Sequence, residues 1–137
     1  PPPPPAPATT SAAAAPPDPP VAPLHTRALA QIRALQRTGQ PSVLRKIIGL
    51  YLESAPALLQ RLQEAVAAGD SEALRQTAHS FKSSSANLGA TQLAAACKEL
   101  EQCGRERNLE EVAALLSEVG SHYIRAREAL IVAMEQE

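Results

Sequence analysis

Of the 137 residues, the first 23 hold 11 of the 13 prolines with alanine, a few hydroxyls, Asp18 and Val21; such a stretch cannot bury enough apolar surface to offset the entropy of ordering and reads as a disordered or polyproline-like linker. The remaining 24–137, about one domain's worth, balances 13 basic against 13 acidic residues and has three aromatics, Tyr51, Phe81 and Tyr123, which gives neither the electrostatic footprint nor the stacking platforms of a nucleic-acid binder. No apolar run approaches the roughly 18 residues of a membrane span, and the proline start does not look like a signal or transit peptide.

Leu24, Ala28, Ile32 and Leu35 recur at helical spacing and predict a short first helix, stopped near Gly39-Gln40-Pro41. A second helix is expected from about Ser42 to Glu53, with Leu44, Ile47, Ile48, Tyr51 and Leu52 on one face. Pro56 then predicts a break or kink, because its missing N–H cannot bond back to Leu52. The segment beyond, to about Ala68, turns Leu59, Leu62 and Val66 inward and ends at Gly69.

Asp70 suits the N-cap of a helix from Ser71 to about Asn87, with Gly89 as its stop. Ala90 or Thr91 opens another helix that ends at Gly104. Asn108 followed by Glu111 has the form of a capping box. It starts a long helix to about Glu135, with Leu109, Val112, Leu116, Val119, Tyr123 and Leu130 along its stripe. There is no period-two strand pattern and no internal repeat. Short loops between long amphipathic helices favour antiparallel neighbours, so the predicted fold is all-α, an antiparallel four-helix bundle over 24–137 with one or two short leading helices.

Cys97 and Cys103 on one helix lie about 9 Å apart along the axis and about 120° apart around it. That is beyond disulfide reach and points to reduced thiols in a cytosolic domain. Neither cysteine has a partner at ligand spacing, and His25, His79 and His122 show none either, so no metal site is expected.

The helix begun by Asp70 is the most informative. At 100° per residue, Leu74, Ala78, Phe81, Ser85 and Leu88 cluster within about 40° of one direction, the core face. His79 then points about 140° away, toward solvent, sharing its side with Glu72, Arg75, Lys82, Ser83 and Ala86. An accessible imidazole is largely neutral near pH 7 and therefore nucleophilic. If the following turn is centred near Gly89-Ala90, antiparallel residues whose numbers sum to about 180 lie at one height. That sets His79 level with Glu101, and Lys82 level with Lys98. Glu101, on the flank of its helix, could accept the Nδ1–H of His79, fixing the tautomer that leaves the Nε2 lone pair outward. The lysines would supply charge-assisted hydrogen bonds to an anionic phosphoryl group.

The run Ala78-His79-Ser80-Phe81-Lys82-Ser83-Ser84-Ser85-Ala86-Asn87-Leu88-Gly89 resembles the signature of histidine phosphotransfer (HPt) domains, A-H-x-[LF]-K-[GS] with a glycine ten residues after the histidine. The similarity extends over roughly 41–130, through Leu58 to Leu62, Asp70, Lys98-Glu99-Leu100-Glu101 and the long last helix. Ser83 departs from the glycine of many members but is still small. The resemblance implies that His79 accepts a phosphoryl group from a receiver-domain aspartyl phosphate and passes it to another receiver's aspartate. It also implies that Lys82 steadies the phosphate. Family members often have an acidic or amide residue at the place of Glu101.

The implied chemistry is phosphoryl transfer by positioning, through a loose transition state whose charge must be neutralised. No cofactor is expected in this domain; the receiver would supply Mg²⁺. Small side chains at Ser80, Ser83 and Ala86 would let a receiver surface approach, with Arg75 as a further contact on the same face. Such a domain carries a phosphohistidine without a turnover site of its own. A Pro/Ala tether suits a module that reaches several partners and resembles those joining HPt domains to the C-terminus of hybrid sensor kinases. The chain thus reads as a piece of a longer bacterial, cytoplasmically acting protein whose anchoring would lie elsewhere. A neutral single bundle reads most simply as a monomer. The rival reading is a helical docking scaffold for receivers that never carries phosphate. A histidine-dependent hydrolase is weaker still, with no Gly-rich phosphate loop and no nucleophile–base–acid set.

Overall fold

The computed structural model describes residues 24–137, so the linker expected over 1–23 lies outside the described residues. These form five helices: α1 Thr26–Arg33, α2 Val43–Ala68, α3 Ser71–Asn87, α4 Thr91–Glu106 and α5 Val112–Glu135. Helix α3 packs on α2 and most extensively on α4, while α5 closes the ring against α4 and α2. This is the expected four-helix bundle, with α1 as its one leading helix leaning on α2. Among the described residues there is no strand, and no helix is long and apolar enough to cross a membrane.

Of the break or kink expected at Pro56, helix α2 shows no break. It runs unbroken for 26 residues with Pro56 inside it. Proline forfeits one backbone hydrogen bond, but Leu44, Ile48, Tyr51, Ala55, Leu62 and Ala65 are all buried along one continuous face. Packing on both sides of the proline outweighs the lost bond, since most helix stability in proteins comes from the buried face. Pro56 itself is exposed, where its ring displaces nothing in the core.

The first helix is shorter than its spacing suggests. It ends at Arg33, so Leu35 lies past the last turn and is 65% exposed, and Leu29 supplies the buried contact instead. At the other end of the sequence, the Asn108–Glu111 capping box does not form. Asn108 Oδ1 accepts the N–H of Glu110 at 3.2 Å, and α5 begins only at Val112, with no side-chain cap. The cause lies in α4, which continues past Gly104 to Glu106. Arg107 adopts the left-handed conformation at φ 56°, and Asn108 donates its N–H to Cys103 O at 3.0 Å. Asn108 is thereby used in closing one helix and is not free to open the next.

The core-facing reading of α3 holds: Leu74, Ala78, Phe81, Ser85 and Leu88 are all buried. Phe81, Tyr51 and Tyr123 pack as a triangle of rings, with centroids 6.3 Å (Tyr51–Phe81), 6.0 Å (Phe81–Tyr123) and 6.4 Å (Tyr51–Tyr123) apart. Ser85, polar and fully buried, is satisfied by the Tyr51 hydroxyl at 2.8 Å. Both cysteines are free thiols on α4. Burial pushes the Cys97 thiol up to about 12, so it behaves as a small core hydrophobe.

Candidate functional site

Asp70 accepts the Ala73 N–H at 3.0 Å and starts α3 where the sequence places it. Leu88, Gly89 and Ala90 end it with a left-handed glycine at φ 79° and a tight turn into α4. These two ends fix the phase and height of α3 against α4, and the level pairing inferred for the hairpin follows. His79 projects from mid-α3 with 57% of its side chain exposed, and its Nδ1 lies 3.0 Å from Glu101 Oε2.

Glu101 is 95% removed from solvent at its side chain, and its other oxygen accepts from Lys82 Nζ at 2.5 Å. Arg105, one turn further along α4, donates from Nη2 to Oε2 at 3.0 Å. One carboxylate therefore binds three cationic or potentially cationic donors. The Lys82 ammonium holds the Glu101 carboxyl below its ordinary value of 4.5; burial opposes this and the His79 contact adds to it. An ionised carboxylate only accepts hydrogen bonds. Nδ1 of neutral His79 must then carry the proton, which leaves the lone pair on Nε2, an atom with no protein partner among the described residues. The arrangement leaves an oriented imidazole nitrogen facing outward, with the Lys82 ammonium one turn away.

A model of the Hpt domain family matches residues 46–135. The chain belongs to the Hpt family. The crystal structure of histidine-containing phosphotransfer protein B from Pseudomonas aeruginosa PAO1 superposes with a TM-score of 0.78 at 30% identity, covering 85% of this chain and 98% of that one. No curated protein matches. The domain is accordingly a histidine phosphotransfer carrier of two-component phosphorelays, a family that works with receiver domains.

The other residues singled out in the sequence are placed as follows in this HPt domain. Ser80, Ser83 and Ala86 are exposed on α3, Ser83 and Ala86 on the side of His79. Lys98 is also exposed, but it makes no hydrogen bond or ion pair among the described residues and does not join the Glu101 cluster. Arg75 is paired within α3, its Nε 3.1 Å from Glu72 Oε2 and its Nη2 on Oε1. Arg105 was not foreseen. The signal for it was its position four residues after Glu101, the spacing at which helix side chains meet. No group of three or more His, Cys, Asp or Glu side chains among the described residues is placed to hold a metal ion.

Proposed function

We propose that His79 is the phosphoacceptor of this carrier. Its Nε2 lone pair attacks the phosphorus of a receiver aspartyl phosphate. The N–P bond forms as the P–O bond to aspartate breaks, and the aspartate leaves as a carboxylate. The return step onto a second receiver's aspartate reverses these roles. Throughout, Nδ1–H stays on Glu101, which orients the ring and balances the positive charge that develops on it. Lys82 has three N–H donors, so it can keep Glu101 while offering another to a phosphoryl oxygen. Mg²⁺ would be held by the receiver, and Ser80, Ser83 and Ala86 would leave room for the receiver's surface.

The observation that carries this reading is the hydrogen bond between the exposed His79 ring and the buried Glu101 carboxylate, with Lys82 on the same carboxylate. The Pro- and Ala-rich stretch ahead of the bundle supports a hybrid sensor kinase as the parent protein, with this module acting in the cytoplasm. The test is phosphoryl transfer from a panel of phosphorylated receivers to the wild-type domain and to His79→Gln. Acid-labile, base-stable label on the wild type and none on the variant is expected. Equal labelling of both would place the phosphate elsewhere.

A further inference from the structure

One turn from His79 toward the start of α3, the α3–α4 seam opens into a cleft of about 650 Å³. Arg75, Arg105 and Arg107 line it against two carboxylates, Asp70 and Glu72. Both carboxylates are already engaged, Asp70 as the α3 cap and Glu72 by Arg75 and Gln76. Arg105 is turned toward Glu101 and links the cleft to the histidine site. Arg107 is exposed and makes no hydrogen bond or ion pair among the described residues.

The turn does not explain an arginine at 107. Its φ of 56° is the left-handed value that Gly69 (φ 67°) and Gly89 (φ 79°) adopt at the ends of α2 and α3. Glycine is the residue such a position favours, and a side chain there costs stability. Over 24–137 the charges balance, and in the cleft Glu72 pairs with Arg75 and Glu101 with Arg105, so Arg107 is the lining guanidinium left without an ion-pair partner among the described residues, a directional feature of the surface. A receiver that holds Mg²⁺ must present carboxylates around its metal, and it meets His79 with that acidic rim. Guanidinium forks match carboxylates bidentately.

We infer that this cleft docks a carboxylate-bearing segment at the rim of the receiver's metal pocket, with Arg107 as the unengaged fork that receives it. The inference rests on the relay reading above. Arg107 touches neither His79 nor Glu101, so it acts on which receiver is bound and not on the chemical step.

The test is steady-state transfer from the receiver panel to the wild type, Arg107→Gly and Arg107→Glu, at several salt concentrations. Arg107→Gly relaxes the left-handed turn, so its Tm should equal or exceed that of the wild type and a folding defect cannot account for a loss. Removing one charge-assisted contact should raise KM about tenfold with kcat unchanged. Arg107→Glu should raise it further, and both should flatten the salt dependence of kcat/KM. Replacing by arginine a rim carboxylate of the receiver that does not ligate the metal should restore transfer to Arg107→Glu. An unchanged KM in both variants, with the wild type labelled on His79, overturns the docking inference and leaves the relay standing. No label on the wild type from any receiver overturns both.

Discussion

Glu101 receives hydrogen bonds from His79, Lys82 and Arg105 through two oxygens, so its loss would alter the ring, the Lys82 ammonium and the edge of the arginine cleft together. Lys82 and Arg105 keep 28% and 55% of their side chains exposed, and water can take over their charges. The fold should therefore tolerate Glu101→Ala while the imidazole loses its orientation and its single tautomer. A hydrogen bond to a charged group is worth about 1.5–3 kcal/mol. Phosphorylation of His79 by a saturating receiver should then slow by about tenfold or more. Glu101→Gln keeps an oxygen for the Nδ1–H and should recover part of that rate. Rapid-quench labelling of the three proteins checks this; identical rates would remove Glu101 from the mechanism.

At the scale of helices, the register of the α3–α4 hairpin was legible because both of its ends are written in local residues, Asp70 at one and Gly89 at the other. Once those are fixed, helical geometry brings position 79 level with position 101. The core face of α3 was legible for the same reason, although the tyrosine that satisfies Ser85 comes from 34 residues away and no local pattern announces it. What escaped were choices decided by packing between helices. Pro56 reads as a break until both halves of α2 are seen to share one buried face. Gly104 reads as a stop but lies inside α4, where a Cβ would stand 2.7 Å from Ser71 O and 2.8 Å from Arg75 N. It permits α4 to close on the first turn of α3. Gly104→Ala would gain about 1 kcal/mol of helix propensity, yet the atoms it meets are backbone and cannot rotate aside. A net loss of about 1–3 kcal/mol is expected from the forced separation. The same separation should slow labelling of His79, whose partner lies across this seam. Urea unfolding followed by circular dichroism tests the first part; a midpoint that rises with the alanine would mean the two helices part without cost.

For the molecule as a whole, the leading helix and the site meet at the same hairpin. His25 donates its N–H to Gly89 O at 2.6 Å, and a Cβ at position 89 would fall 2.5 Å from His25 O, so α1 closes the C-terminal end of the face that His79 shares with Ala86. At its opposite end lies the arginine cleft, with the buried carboxylate between them, and this arrangement ties global stability to the protonation of the site. Glu101 has a folded-state pKa below its ordinary 4.5, chiefly through Lys82. A carboxyl depressed in this way takes up a proton more readily when the chain unfolds. Its contribution is complete above about pH 4.5 and is lost as the pH falls through the depressed folded value. Glu72 is also depressed by its hydrogen bond with Arg75, but it is present in both the wild type and Glu101→Gln and cancels in their difference. The wild type's advantage over Glu101→Gln should therefore hold steady from pH 7 to about pH 5 and shrink progressively below that. Urea titrations of both proteins across this range measure the gap directly. A gap constant down to pH 3 would mean that folding does not shift the Glu101 carboxyl, and that Lys82 lies beside it without stabilising its charge.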